Sequence, residues 1–261
     1  MTTVDPLLTR RGALFVSAAG AALAWWLISL HACSVGVPLA NQEPGAATAA
    51  QVSTATPVPE ARGPYQATSR RSFEDVEQWK RVFDDPARDA WQKPREVVRA
   101  LGLRPGMWVA DLGAGTGYFS GYLSAAVGPT GAVLAVDTEP NLVSHLRERA
   151  GKEALENVTP ILASPDNPRL PPGATDLVLV VDTFHHIDDR LAYFRRLARC
   201  LKPGGRIAII DWLEGDLPVG PPPDHKLSRE QVIEEMRAAG YVLAEEPDIL
   251  PYQYLLVFKA R

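Results

Sequence analysis

Asp111, Gly113, Gly115 and Gly117 stand at alternate positions directly after the apolar pair Val109-Ala110. An acid and three glycines in that pattern suit a sharp turn at the tip of a buried strand. They bring bare backbone up to a ligand, because no Cβ is in the way. An acid two residues before the first glycine favours a cationic or hydroxyl-bearing ligand over a pyrophosphate. The dinucleotide fingerprint G-x-G-x-x-G fails, because Tyr118 stands where the third glycine is needed, and nicotinamide-dependent hydride transfer is disfavoured with it. A second acid, Asp137, ends the next apolar run one strand-helix-strand unit later. At a strand tip it can accept from two ribose hydroxyls, or it can cap a helix opening at Glu139-Pro140; both can hold at once. A third polar group, Asp182 with the pair His185-His186, follows the long apolar run at 175–181. Imidazole titrates near neutrality and suits general-base work. One of the two is expected on the substrate side, the other to pack or to cap the helix that begins near Asp188. His225, on a Pro-rich loop, is a further candidate base.

These residues need a scaffold that gathers strand tips. Apolar runs at 109–112, 131–137, 157–163, 175–182 and 206–211 alternate with stretches long enough for helices. The continuous run at 175–182 predicts a central strand covered on both faces. Leu201-Lys202-Pro203-Gly204-Gly205 is a turn signal, and Ser228-Arg229-Glu230-Gln231 is a capping box opening a helix that Gly240 stops. Residues 241–246 and 252–259 are the last two strand candidates. Upstream, apolar residues at 73, 76, 79, 82 and 83 fit one helix face, Asp85-Pro86 reads as a cap, and residues 94–101 form the helix leading into the core.

Five such points, in order and suitably spaced over residues 95–261, resemble the class I S-adenosylmethionine-dependent methyltransferases, nearest to the branch that modifies small molecules. The resemblance implies an α/β fold: a doubly wound, mostly parallel seven-stranded sheet, helices on both faces, and an antiparallel strand at the C-terminal end. It implies S-adenosylmethionine as cofactor and a small-molecule nucleophile as substrate, methylated by direct displacement. The cofactor would be held by Asp111, Gly113, Ala114, Gly115, Gly117 and Tyr118, by Asp137 and Thr138, and by Asp182. An acid about four residues before a Leu-Pro pair takes the adenine amino group in the family. Asp166 stands so before Leu170-Pro171, with Asn167 as alternate and a plain Asx-turn as the other reading. His185 and His186 carry the catalytic expectation. N-terminal helices close over the cofactor, so Trp91 and Gln92 would touch its methionine end, unless Trp91 packs in the core. Tyr252 and Tyr254 would line the site or pack in the closing strand.

Several classes are disfavoured. After the fourth strand the chain reads Asp182-Thr183-Phe184-His185, not the Asn/Asp-Pro-Pro-aromatic segment of amino-methylating DNA and protein enzymes. Cys33 and Cys200 are the two cysteines, too few for arsenite chemistry or a zinc site, so no metal is expected, and Cys200 suggests core packing. A net charge of −4 shows no basic surplus, which speaks against nucleic acid; Arg195-Arg196-Arg199 reads as a solvated helix face.

With 261 residues, 46% of them hydrophobic, the chain holds one sizeable core. Residues 71–261 form that domain, with N-terminal helices at 71–104 and the cofactor-binding core at 105–261. Residues 1–33 read as a signal peptide or membrane anchor: Arg10-Arg11 precede an uncharged stretch at 12–30, and Leu30-His31-Ala32-Cys33 resembles a bacterial lipobox. Residues 34–70, rich in Ala, Pro and Thr, read as a disordered tether. The expected partner is therefore the membrane, reached through a lipidated Cys33 or an uncleaved helix. The domain would face the exported, periplasmic side, with the cytoplasmic face as the other option. The export signal and a cytoplasmic cofactor pull against each other. They motivate a second reading, a non-catalytic exported lipoprotein that keeps a methyltransferase-like ligand-binding fold.

Overall fold

The computed structural model describes residues 65–261, so the leader and most of the tether lie outside the described residues. Among those described, no helix is long and apolar enough to cross a membrane.

The strands are β1 Trp108–Leu112, β2 Ala132–Asp137, β3 Val158–Leu162, β4 Thr175–Val181, β5 Leu201–Trp212, β6 Tyr241–Glu245 and β7 Gln253–Ala260. They form one sheet in the order β3-β2-β1-β4-β5-β7-β6. The pairs from β3 to β5 are parallel, and β7 runs antiparallel between β5 and β6. The doubly wound sheet and its antiparallel end are as expected. Val109, Val133, Leu177, Leu179 and Ala208 point to one buried face; Ala110, Leu134, Val178, Val180 and Ile207 point to the other. That two-sided burial is why these strands read as unbroken apolar runs. The chain runs outward from β1 to β3, then returns to place β4 on the other side of β1. The order reverses between β1 and β4, which opens a crevice at their C-terminal tips.

The helices are α1 Val76–Phe83, α2 Asp89–Gln92, α3 Pro94–Ala100, α4 Tyr118–Val127, α5 Pro140–Lys152, α6 Arg190–Leu197 and α7 Arg229–Ala238. The caps follow their sequence signals. Ser228 accepts from Gln231 N at 3.1 Å, and Asp85 accepts from Ala87 N at 2.9 Å to open a short 3-10 turn.

Three boundaries shift. Residues 65–70, placed in the tether by composition, pack on the domain: Ala67 and Ser69 are buried, and Thr68 N donates to His185 O at 2.9 Å. Arg190, buried in an ion pair with Glu235, also donates from Nη1 to Gln66 O, and Ala67 N donates to Asp188 Oδ1 at 3.0 Å. α1 starts at Val76 rather than Phe73, because Asp75 accepts from Gln78 N at 3.0 Å and caps it there. β5 begins at Leu201, and its Pro-Gly-Gly segment is an irregularity where the pairing jumps from Thr175↔Leu201 to Leu177↔Arg206.

Candidate functional site

A cleft of about 690 Å³ opens at the tips of β1, β2, β4 and β5, roofed by residues 69–91. That volume suits a small-molecule site. It has two ends of different construction.

The first end is the glycine loop. Gly113 N and Ala114 N both donate to Val136 O, at 2.8 and 3.0 Å, which folds the loop over β2. A Cβ on Gly113, at φ +74°, would fall 2.2 Å from Thr183 Oγ1. Gly117, at φ +90°, caps α4, and a Cβ there would meet Leu146 Cδ2 at 2.8 Å. It does not line the cleft, so its glycine serves helix packing. Asp137 accepts from Gly115 N at 2.8 Å and Glu139 N at 3.0 Å. It thus clamps the loop and caps the approach to α5 together. It lines the cleft together with Thr138 and Ala114. Burial raises its pKa, against the backbone amides of Glu139, Gly115 and Thr138 that favour the anion. Asp111, buried under the loop, accepts from Ser120 Oγ at 2.7 Å. Burial pushes its pKa up to about 6 despite that bond. Tyr118 donates to Asp89 at 2.5 Å, and the Arg88 guanidinium lies 4.2 Å from its ring centroid.

This end fits S-adenosylmethionine. Two buried carboxylates beside bare backbone suit a cationic ligand that carries hydroxyls. A pyrophosphate would meet repulsion from Asp111 and Asp137.

The second end is built from the tips of β4 and β5 and the N-terminal segment. Asp182, at φ +51°, accepts from Gln253 Nε2 at 2.5 Å and faces Arg88 Nη2 at 3.6 Å. Gln253 in turn accepts from Gln92 Nε2 at 2.6 Å. Burial pushes the pKa of Asp182 up to about 7, partly offset by Arg88. Phe184 anchors the turn after it, wholly buried at 5.0 Å from Phe194. The pairing Val181↔Ile210 brings Asp211 level with Asp182. The turn then lays His185 Nδ1 2.9 Å from both Asp211 carboxylate oxygens. His186 Nδ1 lies 3.0 Å from Ser69 O. Phe73, Trp79 and Phe83 stack as one aromatic wall, and Trp91 packs on Trp212 at 5.3 Å.

Asp111, Gly113, Ala114, Gly115, Tyr118, Asp137, Thr138, Asp182, His185 and His186 therefore share one cleft, as does Trp91. Others are elsewhere. Asp166 is solvent-exposed and pairs with Arg196, and Asn167 Oδ1 accepts from Arg169 N at 2.9 Å in an Asx-turn. Ser164 and Asn167 exchange backbone hydrogen bonds at 3.1 and 3.0 Å in a tight bridge, and neither Asp166 nor Asn167 reaches the cleft lining. Gln92 is buried in the hydrogen-bond chain to Gln253. His225 sits outside the lining, with Nδ1 buried and unpartnered among the described residues. Tyr254 donates to Leu227 O at 3.2 Å as a core residue, and Tyr252 is not in the lining. Cys200 is buried, as its surroundings suggested. The sequence reading missed Asp211, Arg88, Ser69 and Trp212. Asp211 carried the one available signal, an acid ending an apolar strand.

A methyltransferase-domain family model matches residues 109–205. The demethylmenaquinone methyltransferase of Lactococcus lactis subsp. lactis (strain IL1403) is 26% identical over 145 residues, covering 56% of this chain and 57% of that protein. The ubiquinone/menaquinone biosynthesis C-methyltransferase UbiE of Shewanella sp. (strain W3-18-1) is 26% identical over 169 residues, 62% of each chain. The chain thus spans about three fifths of the length of these curated relatives. Among solved structures, a SAM-dependent methyltransferase from Aquifex aeolicus superposes with a TM-score of 0.68 at 29% identity, over 72% of this chain and 98% of that one.

Proposed function

This chain belongs to the class I S-adenosylmethionine-dependent methyltransferases, and from that premise we propose that it methylates a small-molecule nucleophile by direct displacement. The observation that carries the reading is the clamp of Asp137 on Gly115 N, which keeps a carboxylate and a bare loop on one side of the cleft. Bound there, the cofactor supplies an electrophilic methyl group on a sulfonium, whose neutral thioether leaves readily. Asp111, Ala114, Gly115, Asp137 and Thr138 would hold it. The protein's task is then to align the acceptor and to manage its proton.

For the acceptor we infer a lipophilic, quinone-type ring. The support is twofold: the aromatic wall of Phe73, Trp79 and Phe83 suits a planar ring, and one relative is named a demethylmenaquinone methyltransferase and another a ubiquinone/menaquinone biosynthesis C-methyltransferase. We further propose that residues 1–33 tether the domain to a membrane, supported by the uncharged stretch at 12–30 and by Leu30-His31-Ala32-Cys33. A lipid-soluble acceptor would give that tether a purpose. Mass spectrometry of the membrane-extracted protein is expected to show a chain starting at an acylated Cys33. A chain recovered only in the soluble fraction would end the tether reading.

The test of the central reading is calorimetry of the full chain in detergent with S-adenosylmethionine or its demethylated product. Binding in the micromolar range is expected. No heat at millimolar ligand would overturn the proposal.

A further inference from the structure

Two imidazoles lie side by side at the second end of the cleft, their centroids 4.2 Å apart. Their Nδ1 atoms are held by partners of different chemistry. His185 Nδ1 meets the Asp211 carboxylate, whose residue is 0% exposed at the end of β5. His186 Nδ1 meets the Ser69 carbonyl. Each partner only accepts, so each Nδ1 carries its hydrogen and each Nε2 keeps its lone pair. Neither Nε2 has a hydrogen bond among the described residues, neither is a fully buried atom, and both rings line the cleft. The site thus presents two bare acceptor nitrogens, with Phe73 edge-on to His186 at 5.5 Å.

The partners sort the roles. A carboxylate stabilises an imidazolium; a carbonyl compensates its charge far less. The charged and titratable groups around His185 are Asp211 on β5, Asp182 after β4, His186 beside it and Arg71 from the N-terminal segment. Burial opposes charging of His185, but Asp211 outweighs it and the pKa moves up. Burial and the neighbouring His185 bring His186 down to about 4, so it stays neutral.

Building on the methyl-transfer reading, we propose that His185 is the general base, Asp211 its positioning residue, and His186 a fixed neutral acceptor that orients the substrate. The pair selects an acceptor with an ionisable hydroxyl, the class of phenols, hydroquinones and enols. The acceptor's O–H bond breaks, its proton bonds to His185 Nε2, and the electron pair stays on the acceptor as nucleophile. Asp211 remains an anion beside the imidazolium. The carbon–sulfur bond breaks as the new bond to methyl forms, and its pair stays on sulfur. Methylation at oxygen ends there. Methylation at a ring carbon ends when that carbon passes its proton to water and His185 returns one to the oxygen.

The test is nitrogen-15 NMR of histidine-labelled full chain in detergent, with no ligand present. Expected is a bare Nε2 on both neutral rings, titration of His185 above the ordinary imidazole range, and no titration of His186 down to pH 5. Asp211→Asn should lower the His185 protonation constant at least tenfold, and Asp211→Glu should restore part of it. An Nε2–H tautomer on His185, or a constant changed less than threefold in Asp211→Asn, would overturn the assignment. The wild-type tautomer decides even if the variant fails to fold. With a soluble dihydroxynaphthalene as acceptor, His185→Gln should lower kcat about 100-fold or more and lose the acid limb of the pH profile. Its cofactor affinity should stay unchanged. Turnover within threefold of wild type would also overturn the proposal. Absent cofactor binding in wild type, by contrast, counts against the methyl-transfer reading alone.

Discussion

The two ends of the cleft are made in opposite ways. The glycine-loop end, proposed above to hold the cofactor and called the cofactor end below, draws on residues 111–118 and 137–139, one turn and the tip of the adjacent strand, joined by backbone hydrogen bonds from Gly113, Ala114 and Gly115. The opposite end, proposed above to take the acceptor and called the acceptor end below, is collected from across the chain: Ser69 with His186, Arg88 with Asp182, Gln92 with Gln253, and His185 with Asp211. At the first end the backbone path is the specification, and side chains serve it. At the second the side chains are the specification, and several strands must be in register before any of them meet. An assembly of the second kind is where acceptor choice can vary without disturbing the sheet.

Asp137→Ala breaks the first end most severely. It removes a carboxylate that would take ligand hydroxyls and also the acceptor for Gly115 N and Glu139 N. Loss of one or two hydrogen bonds to a charged group costs about 2–4 kcal/mol. Cofactor affinity measured by calorimetry should therefore fall by roughly 30- to 1,000-fold. Asp137→Asn should lose less, because the amide oxygen can still accept from one N–H. Equal affinity in wild type and Asp137→Ala would mean that the clamp is only structural.

The same contrast explains what the sequence disclosed. The sheet, its antiparallel end, the Asp111–Gly117 turn and the acid at the tip of β2 were all legible, because each is a pattern within a few consecutive residues. Asp182, His185 and His186 were legible as polar residues following a buried strand. Their partners were not. Nothing local to Asp211 says that the pairing Val181↔Ile210 will bring it under His185. The docking of residues 65–70 was hidden for the same reason: composition suggests a tether, and only distant partners, among them Arg190, Asp188 and His185, hold that segment down. Gly117 was legible as a glycine of the loop, but not as one required by Leu146 rather than by a ligand.

A pH series probes the cofactor end more gently. Burial raises the Asp111 pKa to about 6, so the folded free protein holds that proton more tightly than the unfolded chain does. Stability from this group is full below the unfolded pKa and is lost as pH rises through about 6. Affinity for a cation runs the other way, since binding favours the ionised carboxylate and must displace the proton. Lowering the pH from 7.5 to 5 should therefore weaken S-adenosylmethionine binding about tenfold through this group alone. Calorimetry at both pH values, in buffers of different ionisation heat, should show about one proton released per cofactor at pH 5. Affinity and proton release that stay flat across that range would separate Asp111 from the ligand.

The smallest effect is expected at Asp166. The family resemblance points to it for the adenine amino group, yet its side chain is 78% exposed and its partner is Arg196. Exposed ion pairs of this kind contribute about 0–1 kcal/mol, because water screens them and two long side chains must be held still. The adjoining backbone is fixed by the Asx-turn of Asn167, and Arg196 also donates to the carbonyl of Asp166 itself. Ala163 and Pro165 line the cleft from this segment instead, and neither has a side-chain acceptor. Asp166→Ala should accordingly change cofactor affinity by less than about 0.5 kcal/mol, roughly twofold. A tenfold loss in the same calorimetric assay would show that residues 164–169 swing inward around the ligand. The cofactor end would then share the long-range assembly that marks the acceptor end, and the contrast between the two would narrow.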